Sequence, residues 1–337
     1  MDKKILAIIP ARSGSKSVKN KNIRLINGKP MIAYSIEHAK ESKYINRIIV
    51  TTDSEEYAAI AREYGAETPF IRPAEYATDT ALDIDVFRHA LDWLKENEGY
   101  EPDIVAQLRP TDPYRDPADI DAMIEMMLAD DSVDAVRSVK ENEVVPHKMW
   151  YVGEDNIMEP IMKDIPEAYN MPRQELPKTY YQNGNVDLLR PSNIYKYNSM
   201  TGQKIKGYIM KDMFDVDREK DFDRVATYMN IKEGGKQFVF DIDGVIALKR
   251  EDLDYAQALP NERMIAIVNR LYELGNRIVL FTARGYVTGI DWRPVTEKQM
   301  NDWGVKYHEL KMGKPNADYY IDDKFLDMNF LYGEDWT

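Results

Sequence analysis

The stretch from Ile8 to Asn22, IIPARSGSKSVKNKN, holds the residue types that grip a polyphosphate. An apolar run, Ile5 to Ile9, leads into it and is broken by Pro10. Ala11, Ser13, Gly14 and Ser15 then form a small-residue loop whose backbone N–H groups can approach an anion closely. Arg12, Lys16, Lys19 and Lys21 supply the neutralising cations, and Asn22 closes the loop. The pattern is neither GxxxxGK[ST] nor GxGxxG. Alone it equally describes a basic surface loop after a strand.

Three further clusters bear on that loop. Arg72 to Thr80 reads RPAEYATDT, Gln107 to Pro113 reads QLRPTDP at the end of an apolar run, and Phe214 to Asp217 reads FDVD. At a strand end, a D-x-D places both carboxylates on one face, because side chains alternate with period two. A solvated acidic turn is the competing account of Asp215 and Asp217. Hard oxygen ligands of this kind suit Mg2+, which keeps phosphates in its shell. The chemistry implied is attack of an oxygen nucleophile on the α-phosphorus of a nucleoside triphosphate, with Arg12 and Lys21 stabilising the charge as pyrophosphate leaves.

A second constellation lies near the C-terminus. Phe238 to Val245 reads FVFDIDGV, so Asp241 and Asp243 follow an apolar strand. Asp241 there can attack phosphorus and Asp243 can protonate a leaving oxygen. Thr282 ends the next apolar run, LFTARG; Lys311 and Lys314 follow in KMGKP; Asp322 and Asp323 end YYIDDK.

Apolar runs at Ile5–Ile9, Arg47–Thr51, Ile104–Leu108 and Ala135–Val139 predict strands. Between them Pro30–Glu41, Glu55–Tyr64, Ile84–Lys95 and Pro117–Leu128 have helical spacing. This alternation predicts an α/β domain with a mostly parallel sheet covered on both faces and an active site at the strand carboxyl ends. Between Pro146 and Gly207 the rhythm breaks, and short irregular strands that cover a site or form a subunit contact are expected. A helix from Phe222 to Met229 precedes Lys232–Lys236, KEGGK, the best linker in the chain. A second α/β unit follows: strands Phe238–Asp241, Arg277–Phe281 and Tyr319–Ile321, with helices Asn261–Leu274 and Thr296–Trp303. The expected division is therefore 1–231, a linker 232–236, and 237–337.

The chain's 337 residues suffice for two domains, and 44% hydrophobic with 31% charged residues is a soluble globular composition. A net charge of −13 argues against nucleic-acid binding. With no cysteine there is no thiolate chemistry and no disulfide. No apolar run is long enough for a membrane span, and the N-terminal one is too short for a signal peptide, so a cytoplasmic location is expected. The four histidines lack metal-ligand spacing; only His147, beside Lys148, is placed to touch an acceptor. Met123, Met126 and Met127 read as core fillers.

PARSGSK with Lys21-Asn22, RPAE…DT, the RPTDP strand end, MPRQELP (Met171–Pro177), QNG (Gln182–Gly184) and DVD occur in that order. Over about the first two-thirds of its length the chain thereby resembles the acylneuraminate cytidylyltransferases. The resemblance implies a Rossmann-like nucleotidyltransferase fold, CTP as donor, Mg2+ and a homodimer. It places Arg12, Ser15, Lys16, Lys21 and Asn22 on the triphosphate, Asp79 and Thr80 near the nucleotide, and the metal on Asp215 and Asp217. Lys148, Arg173, Tyr180, Tyr181, Gln182 and Asn183 would face an acidic acceptor.

Three departures bear on that acceptor, one of them the stretch after QNG, with Asp187 and Asn198 to Gly202. Arg109 stands where sialate-activating members carry Gln, adding a fixed charge and a bidentate donor. Leu82 replaces a Ser. A nonulosonic acid other than N-acetylneuraminate is expected or, on the strength of Arg109, a small phosphate or phosphonate.

The last hundred or so residues resemble the phosphatases of the haloacid-dehalogenase (HAD) superfamily, and the motif spacing leaves little or no room for a cap. By that resemblance Asp241 is nucleophile and Asp243 general acid/base. Thr282 binds phosphate, Lys314 (in the GKP context, preferred to Lys311) steadies the aspartyl-phosphate, and Asp322 joins Asp241 and Asp243 around Mg2+. A bifunctional enzyme is expected; a silent domain kept for assembly is the alternative.

Overall fold

The computed structural model describes residues 3–142, 144–210, 214–249, 254–317 and 319–336. The chain divides into two compact units, Met1–Val225 and Ala226–Thr337.

The first unit begins with strand β1 (Ile5–Pro10), the small hairpin β2 (Leu25–Ile26) and β3 (Lys29–Pro30), helix α1 (Met31–Glu41), β4 (Arg47–Thr51) and α2 (Glu55–Glu63). It continues with α3 (Asp83–Glu98), β5 (Ile104–Leu108), α4 (Pro117–Leu128) and β6 (Ala135–Glu141). All four expected strands and all four expected helices form, within three residues at each end. Six strands make one sheet in the order β10-β6-β9-β5-β1-β4. Successive β1 side chains feed opposite faces. Ile5, Ala7 and Ile9 pack with α1, α2 and α4 residues such as Ile32, Tyr57 and Met123, while Leu6 and Ile8 pack with Phe87, Leu91 and Leu94 of α3. Of the three methionines, Met123 and Met127 are in the core and Met126 packs against it.

The irregular segment holds the short antiparallel pair β7 (Trp150–Val152) and β8 (Met158–Pro160), as expected, and a strand that sequence rhythm did not announce, β9 (Tyr180–Leu189). β9 runs antiparallel between β5 and β6, closing the sheet's middle, with a register break opposite Arg137 and Val139. After α5 (Ser192–Tyr197), β10 (Ile205–Ile209) pairs parallel to β6 at the sheet edge. Helix α6 (Glu219–Lys232) extends beyond the expected Phe222–Met229 and occupies the start of the expected 232–236 linker.

In the second unit β11 (Gln237–Phe240), β12 (Arg277–Thr282) and β13 (Glu309–Met312) form a parallel sheet in that order, with α7 (Glu262–Glu273), α8 (Arg293–Asp302) and α9 (Met328–Gly333). The expected strand Tyr319–Ile321 does not form. Its side chains are exposed, Ile321 completely, and no partner strand lies against it among the described residues. The third strand is β13, whose alternation over Glu309–Met312 is too short to signal itself. No helix among the described residues is long and apolar enough to cross a membrane.

Candidate functional site

The opening loop leaves β1 under tight backbone control. The Ala11 N–H donates to the Thr51 carbonyl at 3.0 Å, extending the β1–β4 pairing one residue. The Ser13 N–H and hydroxyl both donate to Asp53, at 2.8 and 2.7 Å, and the Asn22 amide donates to the Arg12 carbonyl at 3.0 Å. The Ser13 N–H, expected to face an anion, is thus engaged by Asp53. The signal for Asp53 was present in TTD at the end of β4, where the chain enters the strand carboxyl face.

A cavity of about 460 Å³ opens there. Arg12, Ser15, Lys16, Lys21, Asn22, Arg72, Asp79, Arg109 and Asp217 all line it. Ser13, Gly14, Thr80 and Asp215 are not among its lining residues. Arg12 donates to Asp79 at 2.6 Å, and Lys16 pairs with the other oxygen of the same carboxylate. Lys21, nearly buried, donates to the Val216 carbonyl and to Asp217, each at 3.0 Å. Arg72 is buried and serves the loop's backbone: it donates to the Thr51 hydroxyl and carbonyl and to the Tyr76 carbonyl at 3.2 Å. Burial pulls its guanidinium down to about 10.

Arg109 uses its bidentate fork within the protein: it donates to Asp83 at 2.7 Å, to Asp187 at 3.0 Å and to the Gly184 carbonyl at 3.2 Å. Burial alone would lower its pKa, but Asp83 and Asp187 outweigh it and the net shift is upward. Asp187 is fully buried and is also met by Arg137 at 2.5 Å and by the Gln182 amide at 3.2 Å. Gly184 is a glycine for cause. Its φ is +71°, and a Cβ would sit 2.9 Å from the Arg109 guanidinium.

The other acceptor candidates are dispersed. Lys148 donates to the Tyr169 and Met171 carbonyls at 3.1 and 2.7 Å, so it ties a loop together. Arg173 reaches the Asn142 carbonyl at 3.4 Å; Tyr181 is exposed; Asn183 accepts from Ser138. None of these lines the cavity. His147 is buried against Asp164.

The D-x-D segment is stitched to the strand end after β5. The Val216 N–H donates to the Thr111 carbonyl at 2.7 Å. Burial, and then the neighbouring Asp217, push the Asp215 carboxyl upward. Beside it Asp112 is fully buried and pushed up to about 7 by that burial. One Asp112 oxygen accepts from Asn185, and the other has no geometrically formed partner among the described residues. Asp112, Asn185 and Arg115, which forks onto Asn185 and Ser35, form a network that the motifs did not single out. As placed, no three described carboxylate or imidazole side chains are grouped as a metal site. The donor chemistry still fits a hard divalent ion: two carboxylates two residues apart, with an orphaned carboxylate oxygen behind them.

In the second unit the motif residues converge at the carboxyl ends of adjacent strands. Asp241 follows β11, Thr282 ends β12 and Lys314 follows β13. The Lys314 ammonium lies 2.5 Å from the Asp241 carboxylate, and its backbone N–H donates to the Thr282 carbonyl at 3.0 Å. Thr282 is 3.5 Å from Asp243. Asp243 is chiefly held by Arg284, a residue sequence reasoning passed over in LFTARG. That buried guanidinium donates to both carboxylate oxygens, at 2.7 and 2.9 Å, and to Gln299 at 2.7 Å. Asp322 is exposed on the unpaired stretch and its carboxylate accepts the Lys324 N–H at 2.8 Å. The structure therefore does not group Asp322 with Asp241 and Asp243, because the strand meant to carry it has not joined the sheet.

Comparison with known proteins agrees with the first unit's geometry. Residues 6–226 match the family model described as "Cytidylyltransferase". An N-acylneuraminate cytidylyltransferase of Escherichia coli O18:K1:H7 is 32% identical over 75% of this chain, and the match spans only 59% of that protein's length. A CMP-N,N'-diacetyllegionaminic acid synthase of Campylobacter jejuni is 32% identical over 68% of this chain and 96% of its own. A solved CMP:2-keto-3-deoxy-manno-octonic acid synthetase complexed with CTP covers 67% of this chain and 98% of its own, with a TM-score of 0.51. At 17% identity that likeness speaks for the fold alone. Its agreement with the six-stranded, mostly parallel sheet identifies an α/β nucleotidyltransferase-like fold. By the match over residues 6–226, the chain belongs to the cytidylyltransferase family.

Proposed function

We propose that the first unit transfers CMP from CTP to an acidic sugar of the sialic or nonulosonic type, releasing pyrophosphate. The observation that carries the reading is the convergence of Arg12, Lys16, Lys21 and Asp217 on one cavity at the strand carboxyl ends. In the reaction an acceptor hydroxyl oxygen bonds to the α-phosphorus while the bond to the bridging oxygen of the β-phosphate breaks, the hydroxyl proton passing to solvent and the electron pair leaving on pyrophosphate. Arg12 and Lys16 stand on the anchored loop to hold the β- and γ-phosphates. Lys21, fixed between that loop and Asp217, meets the charge that grows on the bridging oxygen. Asp215 and Asp217 would hold Mg2+, which supplies further charge neutralisation when bound.

The sugar-acid acceptor is favoured by the two relatives named above. A phosphate or phosphonate acceptor rested on the added charge of Arg109, and the pairing with Asp83 and Asp187 weakens that ground. Arg109 and Gln182, fixed on Asp187, are the acceptor-orienting pair of this reading. The exposed apolar side chains of β7 and β8, Tyr151, Val152 and Met158, suit contact with a second copy in a homodimer.

For the second unit we favour a phosphatase of the HAD type, acting on a phosphorylated precursor. Lys314 against Asp241, with Thr282 alongside, supports that reading over a silent domain. For Asp322 to complete a metal site, Tyr319–Ile321 must pair with the open edge of β11, where Val239 is exposed. The two activities are tested separately. Full-length protein with CTP, Mg2+ and a panel of acidic sugars should release pyrophosphate with at least one of them; silence across the panel would refute the first. An aryl phosphate with and without Mg2+ reports on the second.

A further inference from the structure

We propose that Asp79 is a built-in competitor of the nucleotide's phosphates, a carboxylate seated between Arg12 and Lys16 that CTP must displace and that helps to expel pyrophosphate. The inference rests on the reading of the cavity as the CTP site. Family position placed Asp79 near the nucleotide; the geometry gives it a role opposed to that of a ligand.

Asp79 spans both cations, one per oxygen: Arg12 at 2.6 Å on the first and Lys16 on the second. This is the contact pattern a phosphate would make with the same pair. Lys16, then Arg12, hold the Asp79 carboxyl below the usual carboxylate range, so it is ionised whenever the enzyme works near neutrality. The two sides of the contact differ in freedom. Arg12 is fixed from behind, through the Ala11–Thr51 and Asn22–Arg12 hydrogen bonds. Asp79 sits on an exposed turn between a 3-10 turn at Ala74–Tyr76 and α3, a segment with no sheet or helix bonds of its own. The carboxylate is therefore the part that moves.

A closed contact of this kind lowers the apparent affinity of every ligand that uses Arg12 and Lys16, by the fraction of molecules in which they are free. Two exposed ion pairs amount to about a two- to tenfold reduction. The same carboxylate returns when the product's phosphates loosen, so it shortens the stay of pyrophosphate without touching the reacting phosphorus.

Equilibrium binding of CTP and of pyrophosphate to full-length wild type, Asp79→Asn, Arg12→Ala, Lys16→Ala and the Asp79→Asn/Arg12→Ala double variant tests the proposal, with thermal melting to confirm that each is folded. Asp79→Asn should bind both ligands about two- to tenfold more tightly, and that gain should vanish in the Arg12→Ala background. Equal or weaker binding by a folded Asp79→Asn variant would overturn the proposal while leaving the CTP site intact. Unchanged CTP binding by Arg12→Ala and by Lys16→Ala would instead show that the nucleotide lies elsewhere, and both readings would fall.

Discussion

Lys21 donates to the Asp217 carboxylate at 3.0 Å, joining positions 196 residues apart in the chain. The contact brings the loop after β1 to the D-x-D segment before α6, and under the proposed reaction the ammonium meets the breaking phosphoanhydride bond. Lys21→Ala should lower pyrophosphate release by about 10²- to 10³-fold in kcat, the cost of one well-placed electrostatic donor. Lys21→Arg should recover only part of it, since a planar fork does not reproduce a point charge. Steady-state kinetics at saturating CTP decide it; a Lys21→Ala enzyme within threefold of wild type refutes the assignment.

Arg109 and Asp187 form a pair with one partner fully buried. Arg109→Gln keeps a donor but removes the charge, leaving Asp187 with Arg137 and Gln182. Because some charge compensation survives, the loss should fall below the roughly 3–5 kcal/mol typical of stripping a buried ion of its partner. Acceptor KM should rise while CTP KM holds. An unchanged acceptor KM, measured with the true sugar acid, removes Arg109 from acceptor binding.

Asp112 makes stability depend on pH in a direction opposite to most carboxylates. Burial raises it to about 7, against 3.8 for a free aspartate. Between those values the folded chain holds a proton that the unfolded chain has lost. The contribution of Asp112 to stability is thus greatest below about 3.8 and declines as pH rises towards 7. The melting temperature of Asp112→Asn minus that of wild type should therefore climb from pH 4 to pH 7 and level off above. A difference that stays flat over that range shows that the burial penalty is not borne by Asp112.

Asp241 and Asp217 belong to separate units, so their substitutions should separate the activities. Asp241→Asn should abolish phosphate release from an aryl phosphate and spare CTP-dependent pyrophosphate release. Asp217→Asn should do the reverse. Asp241→Asn that keeps phosphatase activity discards the second site.

The sequence was most informative where periodicity is long and local. β1 and β4 to β6, with their four helices, were legible because each strand is buried on both faces and each helix carries one apolar face. The cationic loop and D-x-D were legible as chemistry. What escaped were relations set by tertiary pairing. β9 begins with the polar YYQNGN, which reads as a loop until β6 lies beside it. The neutralisation of Arg109 needed Asp83 from α3 and Asp187 from β9, positions that no local pattern connects. Arg284 was hidden for a related reason, since its three acceptor residues come from Asp243, Thr296 and Gln299. The strand expected at Tyr319–Ile321 shows the opposite failure: β propensity without a partner does not make a strand.

The insertion of β9 between β5 and β6 sets the order in which the molecule can be completed during synthesis. β5 and β6 have both left the ribosome before β9 is made, yet neither touches the other except through it. Until Leu189 emerges, the nascent chain holds the β5-β1-β4 fragment and a β6 strand still without either of its sheet neighbours. The cavity at the strand carboxyl ends, which Asp217 also lines, cannot close before nearly the whole first unit is available. The pocket's lining is thus complete only when the chain has been translated as far as Asp217, with the second unit still to come.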